Sequence, residues 1–168
     1  MDFRAIANHW FALQVRTCFE QACARILKNK GYEEFVPVLR SSRAGQDHRP
    51  LFPGYVFCRF SGDIKGPIVT TPGVIRIVGY GGVPAPISAE EIASIRTIVE
   101  SGRSVWPVPY LCAGERVRIT RGPFNGVVGA LLKVKNSQRL VVSIDILQRS
   151  AAVEIGIESV TPMRAGVA

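Results

Sequence analysis

Apolar and polar residues change rhythm several times along the chain, and each change marks an element. Trp10-Phe11-Ala12-Leu13-Gln14-Val15 is rich in residues that favour extended backbone and predicts a strand. From Cys18 to Lys30 the apolar positions Phe19, Ala22, Cys23, Ile26 and Leu27 recur at three- and four-residue spacing, with Glu20, Arg25 and Lys28 between them. That period is helical, and Gly31 closes the run as a C-terminal cap. Glu34 to Leu39 reads as an extended segment interrupted by Pro37, and Ser41 to Pro50, without periodicity, as a loop or hairpin tip. Tyr55 to Phe60 and Val74 to Val78 predict two more strands, the second bounded by Pro72-Gly73 and by Gly79 to Gly82. Ser88 followed three residues later by Glu91 has capping-box spacing; Ile92, Ile95, Ile98 and Val99 form the buried face of this second helix, and Gly102 ends it.

Beyond Gly114 the rhythm is that of strands. Glu115 to Thr120 alternates polar and apolar residues, and Val127 to Val134, Leu140 to Ile146, Ala151 to Ile155 and Glu158 to Thr161 supply four more short strands. Turn signals at Gly122-Pro123, Asn125-Gly126 and Asn136-Ser137 separate them. Five short strands in that span predict a small β-barrel. The first half, β-α-β-β-α, predicts an α+β sandwich of the ferredoxin-like kind. Between them, Ser101 to Ala113 holds Pro107 and Pro109 with Trp106 and Tyr110, which reads as a short, semi-rigid connector whose aromatics dock on a flanking domain. The expected organisation is an N-terminal domain over 8–101, a linker over 102–112 and a barrel over 113–163.

Charge narrows the choice of partner. The chain carries 21 Lys+Arg against 13 Asp+Glu, a formal charge of +8. The excess is spread as net +3 over residues 1–101 and +5 over 102–168, mostly as arginine and without a dense basic run. Such a distribution suits contact with phosphates better than the reading of bases, and it also suits ordinary solvated surface. Cys18, Cys23, Cys58 and Cys112 form no C-x-x-C pair, and His9 and His48 have no ligand-like spacing to them, so reduced thiols and no metal are expected. No apolar run approaches the roughly 20 residues that span a bilayer, and Met1-Asp2-Phe3-Arg4 does not open a signal peptide, so a cytoplasmic protein is expected. No glycine loop with a following lysine and no catalytic triad pattern is present, so neither enzymatic activity nor a cofactor is expected.

Three blocks together resemble the NusG family. The first is Trp10-Phe11 with Phe19-Glu20. The second is Leu51-Phe52-Pro53-Gly54-Tyr55-Val56-Phe57 with Thr71-Pro72-Gly73-Val74 and Pro86-Ile87-Ser88-Ala89-Glu90-Glu91-Ile92. The third is Gly114-Glu115-Arg116-Val117-Arg118-Ile119 with Gly122-Pro123-Phe124-Asn125-Gly126-Val127-Val128-Gly129. The first two look like the NusG N-terminal domain and the third like a KOW motif. The resemblance covers Trp10 to Pro162.

Tyr55 and Phe57 share one strand face by the period-two rule, with Val56 opposite. Together with Phe52 they suggest an exposed apolar patch, the kind of surface that marks a protein-binding site; packing beneath the first helix is the alternative. The resemblance implies that Phe52, Pro53, Gly54, Tyr55, Phe57 and Gln14 grip the clamp helices of the largest subunit of bacterial RNA polymerase. It also implies that Arg16, Arg49 and Arg76 lie toward upstream or non-template DNA. In the barrel it places Phe124, Ile146, Leu147 and Arg149 at a partner surface, for ribosomal protein S-ten or Rho, although Phe124 alone would equally be core. Here Leu147 stands where NusG has an aromatic and Gln148 where it has glycine. Leu147-Gln148-Arg149-Ser150 resembles instead the specialised paralogues of the UpxY and RfaH kind, antiterminators of long operons. The resemblance thus implies a non-enzymatic, monomeric elongation factor that reduces pausing. The β-branched residues from Val117 to Val160 favour a barrel over a refolding helical domain. A housekeeping NusG and a ribosome-associated KOW protein that binds structured RNA are the competing readings.

Overall fold

The computed structural model describes residues 8–40, 48–61, 65–110, 114–134, 136–156 and 160–163. In chain order the first elements are β1 (His9–Val15), α1 (Glu20–Asn29), β2 (Glu33–Phe35), β3 (Val38–Leu39), β4 (Arg49–Pro50), β5 (Tyr55–Phe60), α2 (Gly66–Val69), β6 (Val74–Ile77), β7 (Gly79–Tyr80) and β8 (Val83–Pro84). There follow α3 (Ala89–Glu100), β9 (Val105–Pro109), β10 (Glu115–Ile119), β11 (Val128–Val134), β12 (Ser137–Ile144), a 3-10 turn over Asp145–Leu147, β13 (Arg149–Ile155) and β14 (Val160–Pro162). They fall into two compact units, one drawn from residues 1–36 and 52–89, the other from 37–51 and 90–168. Helix α3, which the sequence reading grouped with the first domain, falls in the second unit, as does the β3–β4 hairpin.

In the first unit four antiparallel strands run in the order β2-β5-β1-β6. Alternation sends Phe11, Leu13 and Val15 of β1 and Val56, Cys58 and Phe60 of β5 into one core with Cys23, Ala24 and Leu27 of α1 and Ile68 of α2. The Phe11 and Phe60 rings meet at 4.6 Å. The buried face of α1 is turned from the expected one: Glu20, Cys23, Ala24 and Leu27 point inward, while Phe19 and Ala22 are exposed. The period was legible, but its phase depended on Glu20 finding a partner inside. Lys30 ties α1 to α2, its Nζ donating to the Pro67 carbonyl at 2.7 Å and to Thr71 Oγ1 at 3.0 Å.

In the second unit six antiparallel strands run in the order β14-β10-β11-β12-β13-β9, a small KOW-like barrel sheet. Val117, Ile119, Leu140, Val142, Ile144, Ala151 and Val153 are buried on one face. The connector expected over 102–112 is instead largely β9, paired with β13 from Val105↔Val153 to Pro109↔Arg149; residues 111–113 lie outside the described residues. Prolines two residues apart direct their donorless nitrogens to the same side, and an edge strand leaves that side unpaired. Trp106 anchors the edge under the Arg139 guanidinium, 5.2 Å from the ring centroid, a cation–π arrangement. Hydrogen bonds and an ion pair tie helix α3 to the strands and the 3-10 turn of this unit. Ser94 Oγ accepts the Val128 N–H at 3.2 Å, Glu90 pairs with Arg118 at 2.8 Å, and Glu91 Oε1 accepts the Asp145 N–H at 3.1 Å. The strand expected over Glu158–Thr161 begins outside the described residues and is seen as β14.

Among the described residues no helix is long and apolar enough to cross a membrane, and no group of His, Cys, Asp and Glu could hold a metal. Cys18 is exposed, whereas Cys23 and Cys58 are buried; Cys112 lies outside the described residues. Burial, and then the negative charge of Glu34, push the Cys58 thiol from its ordinary 9.0 up to about 12. Burial and Glu20 raise Cys23 as well. The native state therefore keeps a proton that the unfolded chain releases, so stability is full below pH 9 and falls as pH rises toward about 12. Urea midpoints measured across that range should decline, and a Cys58→Ala variant, less stable at neutral pH, should show a shallower decline.

Candidate functional site

The motif blocks of the first half, far apart in sequence, meet at the end of β1. Val15 N–H donates to the Gly54 carbonyl at 2.8 Å, and Arg16 N–H donates to the Gly73 carbonyl at 2.9 Å. Gly54 N–H donates in turn to Glu20 Oε1 at 2.7 Å. Cys23 Sγ donates to the Pro72 carbonyl at 3.0 Å, and Gly73 packs against Phe19 and Cys23. The start of α1, the Phe52–Tyr55 turn and the Thr71–Val74 turn are thus knitted to one strand end. A carboxylate accepting a backbone N–H is among the stronger hydrogen bonds available, and here Glu20 is buried. The turn it holds presents Pro53 exposed, with Gly54 and Tyr55 half-buried.

The aromatic patch differs from expectation. Phe52 and Phe57 are 2 % and 0 % exposed, so of the three rings only Tyr55 reaches solvent. Their burial has a local cause. Phe57 stacks on its cross-strand partner Phe35 at 6.1 Å and takes the edge of Phe52 at 6.3 Å, and such pairs stabilise one another beyond the area they bury. Val56 does face the α1 core, on the side opposite Phe57.

Beside Tyr55, the expected protein-contacting and phosphate-contacting residues adjoin. Gln14 pairs with Tyr55 on β5 and with Arg76 on β6, and Arg76 Nε donates to Gln14 Oε1 at 2.7 Å. The amide fixes one edge of the guanidinium. Arg16 lies two residues further along the chain, and both arginines are exposed. Arg49, also exposed, sits on β4 in the other unit.

In the barrel the expected partner surface divides. Phe124 is 4 % exposed and is core, seated in the corner where Gly126 N–H donates to the Ile119 carbonyl. Leu147 is 8 % exposed, and only Ile146, half-buried, and Arg149, exposed, remain accessible. A lone aromatic in a small barrel has nowhere better to go than inside. Gln148 adopts φ +50, the left-handed region, at the position where the family resemblance expects glycine. Its own side chain supports the turn, Nε2 donating to the Asp145 carbonyl at 2.9 Å, and Tyr110 Oη donates to Asp145 Oδ1 at 3.2 Å. Sequence reasoning missed Glu20 and Asp145, and singled out Tyr110 only as an aromatic that docks on a flanking domain. For Glu20 the available signal was its place beside Phe19 in the first block.

Known proteins resemble this chain in sequence and in fold. A family model described as transcription termination factor NusG matches residues 8–96. The chain is similar to the transcription termination/antitermination proteins NusG of Borreliella burgdorferi, 27 % identical over 92 % of this chain and 98 % of that protein, and of Vibrio cholerae, 31 % identical over 88 % and 92 %. A solved structure of Thermotoga maritima NusG shares the fold with a TM-score of 0.55 at 20 % identity, over 95 % of this chain and 99 % of that one.

Proposed function

This chain belongs to the NusG family of transcription termination/antitermination factors, and from that premise we propose that it acts on RNA polymerase through the turn that Glu20 holds. In this reading Pro53, Gly54, Tyr55 and Gln14 seat against the clamp helices of the largest subunit. Phe52 and Phe57 serve as the buried frame behind them. Arg16 and Arg76 lie toward upstream or non-template DNA, where guanidinium groups fit phosphates. The observation that carries the proposal is the convergence of Gly54, Glu20 and Gly73 on the end of β1, which gives a partner a preformed rather than a mobile edge. Binding one clamp state more tightly than another suppresses pausing without chemistry. The factor works in the cytoplasm as a monomer.

In this reading the first compact unit, 1–36 and 52–89, binds polymerase and the barrel of the second recruits a partner, with Ile146 and Arg149 the accessible recruitment residues. Leu147 and Gln148, where housekeeping NusG has an aromatic and a glycine, favour a specialised, operon-specific paralogue over a Rho-coupled or ribosome-coupled one. In a pull-down the chain should retain no Rho.

Tyr55→Ala tests the main proposal. It should weaken polymerase binding about tenfold, the scale of a single interface aromatic, and abolish the effect on pausing in a purified transcription assay. Unchanged binding and unchanged pausing would remove the turn from the interface.

A further inference from the structure

The β7–β8 hairpin exposes two apolar side chains at its tip, Tyr80 at 73 % and Val83 at 66 %. They are cross-strand partners on either side of Gly81-Gly82, both with positive φ, the geometry of a tight two-residue turn. The hairpin is held in shape at its base. A Cβ at Gly79 would collide with the Val83 carbonyl, so the two strands approach more closely than any other residue permits. Ala85 N–H donates to the Val78 carbonyl at 3.1 Å and Ile87 N–H to the Trp10 carbonyl at 2.7 Å, fastening the hairpin to β1. An aromatic presented on a stiff support and left in water calls for an occupant.

Charge indicates which one. From Lys65 to Ala89 the chain contains no Asp or Glu, while Lys65 and Arg76 are both there. In the sheet order β2-β5-β1-β6, the acidic Glu33 and Glu34 lie on one edge strand and Arg76 on the other, three strand spacings or about 14 Å away. The hairpin grows from the edge that carries Arg76 and, from Lys65 to Ala89, no acidic residue, whereas on the other edge Glu33 is ion-paired with Arg59. Tyr80 lies four residue steps beyond Arg76, at most about 14 Å of chain. One oligonucleotide can touch both.

We propose that Tyr80 is a stacking platform for an unpaired base of a single-stranded nucleic acid whose phosphates are held by Arg76 and Arg16. Every base has a π-face, so such a contact is tolerant of sequence, as the spread-out charge of the chain requires. The inference deepens the nucleic-acid part of the function proposed above and is independent of the polymerase contact.

The test uses the full chain without polymerase and a fluorescent single strand of about 12 nucleotides, with anisotropy read at several salt concentrations from about 50 to 200 mM. Tyr80→Ala should lower affinity about tenfold with the salt slope unchanged, and Tyr80→Phe should bind as the parent does. Arg76→Gln should reduce the salt slope by about 0.7. Gly79→Val, which keeps the ring but forces the hairpin open, should lose affinity as Tyr80→Ala does. Tyr55→Ala should bind the strand normally, which separates failure here from failure of the polymerase proposal. Parent-like affinity of Tyr80→Ala overturns the inference. A simultaneous loss of polymerase binding would then assign the hairpin to a protein contact. Equal losses on single-stranded and duplex DNA overturn it too, since a stacked base must be unpaired.

Discussion

Glu20→Ala should lower the free energy of unfolding by about 2 kcal/mol, the range for a hydrogen bond to a charged group, and should weaken polymerase binding along with it. The carboxylate is buried, sits in the first turn of α1 where a negative charge is favoured, and receives the Gly54 N–H at 2.7 Å. Truncation leaves that N–H without its acceptor while the Gly54 carbonyl stays bonded to Val15, so the turn keeps one tether and loses the other. Pro53 and Tyr55 then sample other orientations, and a partner must select the right one at a cost in affinity. Glu20→Gln keeps an oxygen acceptor at the same reach and should recover most of both losses. Urea unfolding and a polymerase pull-down on the two variants check this. If Glu20→Ala matches the parent in both, the turn is held by backbone alone and the proposed role of the first block fails.

The elements were legible where apolar periodicity was strong. β1, β5, β6, β10, β11 and β13 lie close to where alternation and turn residues put them, while β12 starts three residues earlier than expected and gives way to a 3-10 turn at Asp145. What the sequence hid has a common physical cause: each missed feature depends on a partner supplied from elsewhere in the chain. Glu20 reads as a polar residue on a helix, and only Gly54 makes its burial affordable. Phe52 and Phe57 read as surplus aromatics, and only Phe35, paired with Phe57 across β2 and β5, gives them a place inside. Pro107 and Pro109 read as breakers of structure, and only an edge position beside β13 makes them compatible with a strand. The candidate site was therefore legible in location and misjudged in surface. The motif residues do gather at the end of β1, yet what they expose is Pro53, Tyr55 and two arginines rather than three rings.

The same reasoning governs position 129, where the largest loss of stability is expected. Gly129 pairs with Val117, and a Cβ there would stand 2.5 Å from the Val141 carbonyl oxygen and 3.0 Å from Leu140 Cδ1. The first of these is backbone of the adjacent strand, which cannot move without breaking the β11–β12 ladder that runs from Ala130↔Val141 to Val134↔Ser137. Overpacking a core costs about 1–3 kcal/mol and more when backbone must shift, so Gly129→Val should destabilise the barrel by about 3 kcal/mol or more. Hydrogen exchange reads the effect strand by strand. Amides of β11, β12 and β13 should lose roughly a hundredfold in protection, while those of β1 and β5, in the other compact unit, keep theirs. Uniform loss over both units would mean that the two unfold as one cooperative body, and recruitment could then not be removed without removing polymerase binding. Confinement to the barrel would give a variant that still grips polymerase through Tyr55 but recruits nothing, and so separates the two proposed activities in a single chain.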